Sequence, residues 1–168
     1  MVYLGTRLAA NYWIFKVQTE EGGLYRRRGF DLFVHRVKEG FWGLRKYNEK
    51  GHLEANIENL KKSDCVVFYL VGAGGGRFIG NCVLDSDFER LDPERAKLIV
   101  HSDYLDCETG VFLKDVERWA KPLPLENLRG KNSFVAGGGK FGSHFQGSIK
   151  KIKRKEFDTI IREHELMV

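Results

Sequence analysis

The sequence predicts an α+β fold: a small, curved, mostly antiparallel β-sheet or barrel with helices outside it. Three observations predict it. The segments run strand, helix, short strand, helix, several strands and a last helix, whereas a parallel βαβ array would alternate strands with long helices. The strand segments are short, and glycines punctuate them. The chain has 168 residues, 42% hydrophobic and 30% charged, which suits one domain with one core. Only three prolines occur and no Ser- or Pro-rich linker divides the chain, so residues 1–168 are expected to form a single domain.

Tyr12-Trp13-Ile14-Phe15-Lys16-Val17 is short, aromatic and partly β-branched, which predicts a strand. Gly22-Gly23 breaks it, and Tyr25-Arg26-Arg27-Arg28-Gly29 follows as a basic loop. Phe30, Phe33, Val34 and Val37 have helical spacing, which predicts a helix over 30–38 with that apolar face. Gly40 ends it, and Phe41-Trp42-Gly43-Leu44 begins the next extended piece. Leu53, Ile57 and Leu60 predict a short helix over 53–60. The unbroken apolar run 65–71 predicts a central strand, and 77–84 its hairpin partner across the glycines of 72–76. A further strand is expected over 110–116, ending in a loop at Trp119-Ala120-Lys121-Pro122-Leu123-Pro124. Phe157, Ile160, Ile161 and His164 mark a closing amphipathic helix that starts near Arg154.

Lys plus Arg number 28 against 23 acids, a net charge of +5. This moderate basic bias favours a polyanionic partner. The run 65–71 is too short to cross a bilayer, and Met1-Val2-Tyr3 opens no basic-then-apolar signal, so a cytoplasmic protein without a membrane partner is expected. Cys65, Cys82 and Cys107 are odd in number, widely spaced and never Cys-x-x-Cys, which points to buried reduced thiols rather than zinc ligands or disulfides. His35, His52, His101, His144 and His164 are scattered without metal-ligand spacing, so neither a metal nor a cofactor is expected. No Gly-x-Ser-x-Gly elbow is present, and Gly137-Gly138-Gly139-Lys140 lacks the spacing of a nucleotide-binding P-loop. No catalytic residue is assigned, and a binding module is expected.

The segment Tyr12-Trp13-Ile14-Phe15-Lys16-Val17, a helix, then Gly40-Phe41-Trp42-Gly43-Leu44 together resemble the opening of EVE and YTH domains. Three later stretches resemble those domains in the same order: Cys65-Val66-Val67-Phe68-Tyr69-Leu70, Arg77-Phe78-Ile79-Gly80-Asn81-Cys82-Val83, and Gly110-Val111-Phe112-Leu113-Lys114-Asp115-Val116 followed by Pro122-Leu123-Pro124-Leu125. The resemblance covers roughly residues 11 to 165. It departs at Val17-Gln18-Thr19, where EVE domains often carry Ser-Glu-Pro, and in the absence of a Trp between Phe88 and Tyr104. The resemblance implies a PUA-like fold and a module that reads modified bases. YTH domains read N6-methyladenine in RNA; related modules at the N-terminus of McrBC-type restriction proteins read modified DNA. On this likeness DNA is favoured over RNA. The chain would be the specificity module of such a system, either standing alone or as the N-terminal part of a longer protein. A motor domain in the same chain and a nuclease subunit would be its partners. The stretch 110–124 is closer to YTH domains, which leans towards N6-methyladenine over 5-methylcytosine. Two alternatives stand beside this reading: an RNA-binding PUA-like protein, and an ASCH-like enzyme acting on modified nucleosides.

A methylated base offers a flat π-face and one methyl, so its reader needs an aromatic wall. The base must also leave the duplex stack to show that face. Trp42, after a glycine at an element boundary, is the first candidate wall, with Tyr104 and Phe88 as a second wall and Leu105 as an apolar lid. By resemblance Lys16, Val17 and Gln18 would bond the base edge, and Tyr69 and Asn81 are further pocket candidates. Trp13 is expected in the core, and Trp119 as a packing or surface aromatic. Phosphate contacts are expected from Arg26, Arg27 and Arg28, from Lys140 beside its glycines, and from Lys150, Lys151, Lys153 and Arg154 in the densest basic run.

Overall fold

The structure, a computed structural model, describes residues 10–17, 29–45, 56–71, 76–99, 108–132 and 148–168. Strands β1 (Tyr12–Val17), β2 (Phe41–Gly43), β3 (Cys65–Leu70), β4 (Arg77–Leu84), β5 (Glu89–Arg90), β6 (Thr109–Pro124) and β7 (Ile149–Ile152) form one sheet. Its order is β2-β6-β4-β3-β1-β7, with β5 also on β6. Among the described residues three helices accompany it: α1 (Gly29–Glu39), α2 (Pro93–Ile99) and α3 (Arg154–Glu165). Of these strands only β1 and β3 pair in parallel; the other pairings are antiparallel. The expected α+β architecture is therefore present, a curled sheet with helices outside it.

The sheet has two buried faces. Trp13, Phe15 and Val17 of β1 share one with Val66, Phe68 and Leu70 of β3, and α1 adds Phe33 to it. Ile14 faces the other way, with Val67 and Tyr69, against Phe157 and Ile160 of α3. This alternation follows from the period of two in a strand, and burial of both faces explains why β1 and β3 are nearly unbroken apolar runs.

β6 makes the sheet curl. It pairs with β2 at 110–112 and then with β4 from Leu113 onward. At the crossing, Asp115 has a φ of 50° and the register against β4 shifts between Asn81 and Val83. That is a bulge, which bends a strand and strengthens its twist. Gly110 is required where β6 meets β2, because a Cβ there would lie directly against the Trp42 carbonyl.

Several sequence expectations change. β6 does not end before Trp119; it runs on through Pro122 and Pro124. β2 pairs with residues 110–112 alone, so beyond them one side of β6 carries no ladder with β2, and a proline there costs no hydrogen bond on that side. In place of a helix over 53–60, Ile57–Asn59 form a single 3-10 turn; residues 53–55 lie outside the described residues. The face of α1 is rotated from the expected one: Leu32, Phe33 and Arg36 are buried, whereas Phe30 is 45% exposed. The segment after Phe88 holds a helix, α2, with Pro93 at its first position and the Asp92 carboxylate accepting from the Arg95 N–H. The basic run after Ser148 begins as an edge strand, β7. Lysines are a common means of keeping an edge strand from pairing with another chain.

Candidate nucleic-acid interface

Trp42 stands in the short strand β2, fixed by its pairing with Val111. Its ring lies 4.9 Å from that of Phe68, 6.1 Å from Phe15 and 6.4 Å from Phe33. The Arg36 guanidinium sits over the indole at 4.9 Å, a cation–π contact delivered by one turn of α1 beyond Phe33. The ring is 1% exposed. Trp42 is thus part of a buried aromatic box in the core, with Arg36 over its ring, and not a ring exposed at a pocket. Val17 and Leu44 are buried in the same cluster, and Phe88 packs against it partly buried.

Tyr69 and Asn81 do not join that box. Both point to the α3 side of the sheet, so two of the expected pocket residues are separated from Trp42 by the sheet itself. Tyr69 packs on Phe78 with ring centroids 5.2 Å apart, and burial pushes its phenol pKa up. Asn81 accepts a hydrogen bond from Trp119 Nε1 at 2.8 Å. Trp119 in turn stacks on His164 at 3.8 Å and 9°, so this tryptophan packs in the interior. Lys16 lies opposite Tyr69 in the β1–β3 register. Its backbone N–H donates to the Ser148 carbonyl at 2.9 Å, and the Val17 carbonyl accepts from Val71 at 2.8 Å. Those two backbone groups serve the sheet. Gln18, Tyr104 and Leu105 lie outside the described residues.

The cations divide in the same way. Lys150 is opposite Ile14 and so shares the α3 face; Lys151 is opposite Trp13 and lies on the α1 face. Lys153 precedes α3, its N–H bonded to Glu156 Oε2 at 2.9 Å, and Arg154 opens the helix, 3.6 Å from Asp158. Arg26, Arg27, Arg28 and Lys140 lie outside the described residues. Sequence reasoning missed Arg36. Its spacing three after Phe33 is the available signal, masked because an arginine on an apolar face is unexpected. Among the described residues no group of three His, Cys, Asp or Glu side chains could hold a metal ion, and no helix is long and apolar enough to cross a membrane.

No protein-family model and no curated protein matches the sequence. Solved structures do match. A hypothetical protein from Leishmania major superposes with a TM-score of 0.60 at 18% identity, covering 95% of this chain and 97% of that one. Human THYN1, solved in complex with DNA containing 5-methylcytosine, gives 0.59 at 14% identity, covering 93% and 98%. The chain shares the fold of these proteins, a PUA-like α+β fold. The N-terminal domain of Staphylothermus marinus McrB shares it, with a TM-score of 0.53 at 12% identity over 91% of this chain and 94% of that one. In this fold, the Trp42 box lies on the α1 side of the sheet and the Asn81–Trp119–His164 stack on the α3 side.

Proposed function

We propose that this chain binds DNA and reads a modified base that has left the duplex stack, with Trp42 as the aromatic wall. The observation that carries the reading is the match of nearly the whole chain to the fold of human THYN1, a protein solved with 5-methylcytosine DNA. The Trp42 box supports it from the chemistry side. Arg36 already occupies one face of the indole as a flat cation. A base is also flat, and stacking on an aromatic ring contributes about 1–3 kcal/mol. The base takes the place of the guanidinium, and Arg36 swings outward towards the phosphates. On the α1 side Val17 and Phe88 border Trp42, and Gln18, Tyr104 and Leu105 remain candidates for the rest of the pocket, whereas Lys16 shares the parity of Tyr69 and faces the α3 side. Arg26, Arg27, Arg28, Lys140, Lys150, Lys151, Lys153 and Arg154 supply phosphate contacts.

The chain acts as a binding module without chemistry of its own. The likeness to the McrB N-terminal domain supports a place as the specificity module of a modification-dependent restriction system, with cleavage supplied by a motor and a nuclease. The likeness of residues 110–124 to YTH domains leans to N6-methyladenine, while the THYN1 complex favours 5-methylcytosine. Binding of duplex DNAs carrying no modification, 5-methylcytosine or N6-methyladenine, at one salt concentration, separates these. The expected result is one modified duplex bound at least about tenfold tighter, roughly 1.4 kcal/mol. Equal binding of all three overturns the reading, and tighter binding of the matching RNA moves it to RNA.

A further inference from the structure

An open groove of about 570 Å³ lies between α3 and the chain that follows the 3-10 turn Leu125–Leu128. Lys131, Arg154, Lys155, Asp158, Thr159 and Arg162 line it. Four cations thus face one carboxylate. The walls are tied together: Lys131 Nζ meets Glu163 Oε2 at 2.8 Å, and Asn132 Nδ2 donates to the Glu156 carbonyl at 3.3 Å. Residues 155, 158 and 162 follow the exposed face of α3 and Thr159 lies buried at its inner margin, while Phe157, Ile160 and His164 are buried in the core. Asp158 is already paired with Arg154. Among the described residues Lys155 and Arg162 form no ion pair, so two of the four cations have no protein counter-charge there.

We infer that this groove holds backbone phosphates of the bound nucleic acid, as a second contact area on the side of the sheet away from the Trp42 box. The inference rests on the DNA-binding reading above and deepens it. The path between the two areas runs past the terminal strand of the sheet among the described residues. β7 is that strand, with Lys151 on the Trp42 side and Lys150 on the α3 side, and Lys153 and Arg154 follow directly. A sugar–phosphate strand flanking the flipped base rounds β7 and ends in the groove. Arg162 offers a planar fork of N–H donors to a phosphate, and Lys155 a point charge. Such contacts carry no sequence information and bind modified and unmodified DNA alike.

The test measures affinity against salt for one unmodified and one modified duplex. The proteins are wild type, Lys155→Gln/Arg162→Gln, and a control, Lys62→Gln/Lys97→Gln, that removes two exposed charges elsewhere. Removing one cation from a phosphate lowers the slope of log K against log salt by roughly 0.9, so the groove variant is expected to fall by roughly 2. Both duplexes weaken by the same factor, and the preference for the modified one is kept. The control keeps the wild-type slope. An unchanged slope in the groove variant, or an equal fall in the control, overturns the groove assignment while leaving the base-reading claim intact. Absence of any preference in wild type overturns the base-reading claim, and the slopes on unmodified DNA still decide the groove. Failure of wild type to bind either duplex overturns both.

Discussion

Trp13 Nε1 donates a 2.8 Å hydrogen bond to Asp64 Oδ2, inside the structure and 51 residues away along the chain. The same carboxylate accepts from the Asn11 N–H at 2.9 Å and the Lys61 N–H at 3.0 Å. One buried side chain therefore ties the start of β1 to the turn that leads into β3, and sets the parallel pairing of those strands. Three donors lose their acceptor in Asp64→Ala, and the indole N–H among them is buried. The expected cost is about 2–4 kcal/mol in urea unfolding. A change below about 1 kcal/mol contradicts this role.

Gly110 lets β6 approach β2. A Cβ there meets the Trp42 carbonyl and, beside it, the Phe41 ring. Backbone cannot give as a flexible side chain can, so Gly110→Ala destabilises by about 1–3 kcal/mol. Gly40, whose φ is +71° with open space around a Cβ position, is limited by backbone strain rather than by contact. Gly40→Asn is therefore milder than Gly40→Val, because asparagine tolerates the left-handed region. Thermal melts of the three variants check the order.

His164 links stability to pH. Burial against Trp119 pushes its imidazole pKa down, while Glu117, Glu165 and a hydrogen bond with the Lys121 backbone pull it up less strongly. Its Nε2 is buried with no hydrogen-bond partner among the described residues. The folded state prefers the neutral ring, so the unfolded chain binds more protons as pH falls below the ordinary value of 6.5. The stabilisation is full above that value and is lost as pH drops towards the folded pKa. His164→Gln should flatten the fall in stability between about pH 7 and pH 5. An unchanged slope contradicts it.

Burial also pushes the Cys82 thiol well above its ordinary pKa, and it lies in the core. It should resist a thiol reagent at neutral pH in the folded protein and react fully in denaturant. Cys65 is raised too, but is only partly buried. It should react slowly in the native state, and mass spectrometry of labelled peptides separates the two.

Much of the fold is legible in the sequence because it rests on local periodicity. The runs at 12–17 and 65–70 are apolar on both faces, and Gly40 marks the end of α1 by its positive φ. What is not legible depends on partners far along the chain. Pro122 and Pro124 mark a loop by composition, and only the absence of β2 beside that part of β6 lets them sit in a strand. The lysines of β7 mask a strand because their role is set by its place at the edge. The site is legible as chemistry but not as placement. Trp42, Tyr69 and Asn81 are each reasonable pocket residues, yet the parity that sends Tyr69 and Asn81 to the α3 face needs the register of β3 against β4. The pairing of Arg36 with Trp42 needs the rotation of α1, which its apolar spacing misplaces.

Comparing duplex preference in wild type and Trp42→Phe tests most directly whether Trp42 holds a modified base. Phenylalanine keeps the aromatic core filled, so the variant folds, with a melt as control, but offers a smaller stacking face. Wild type is expected to bind one modified duplex about tenfold or more tighter than the unmodified one, and Trp42→Phe to lose most of that ratio while its affinity for unmodified DNA stays the same. A folded Trp42→Phe that keeps the full preference would contradict the role of Trp42 and place the base elsewhere on the protein.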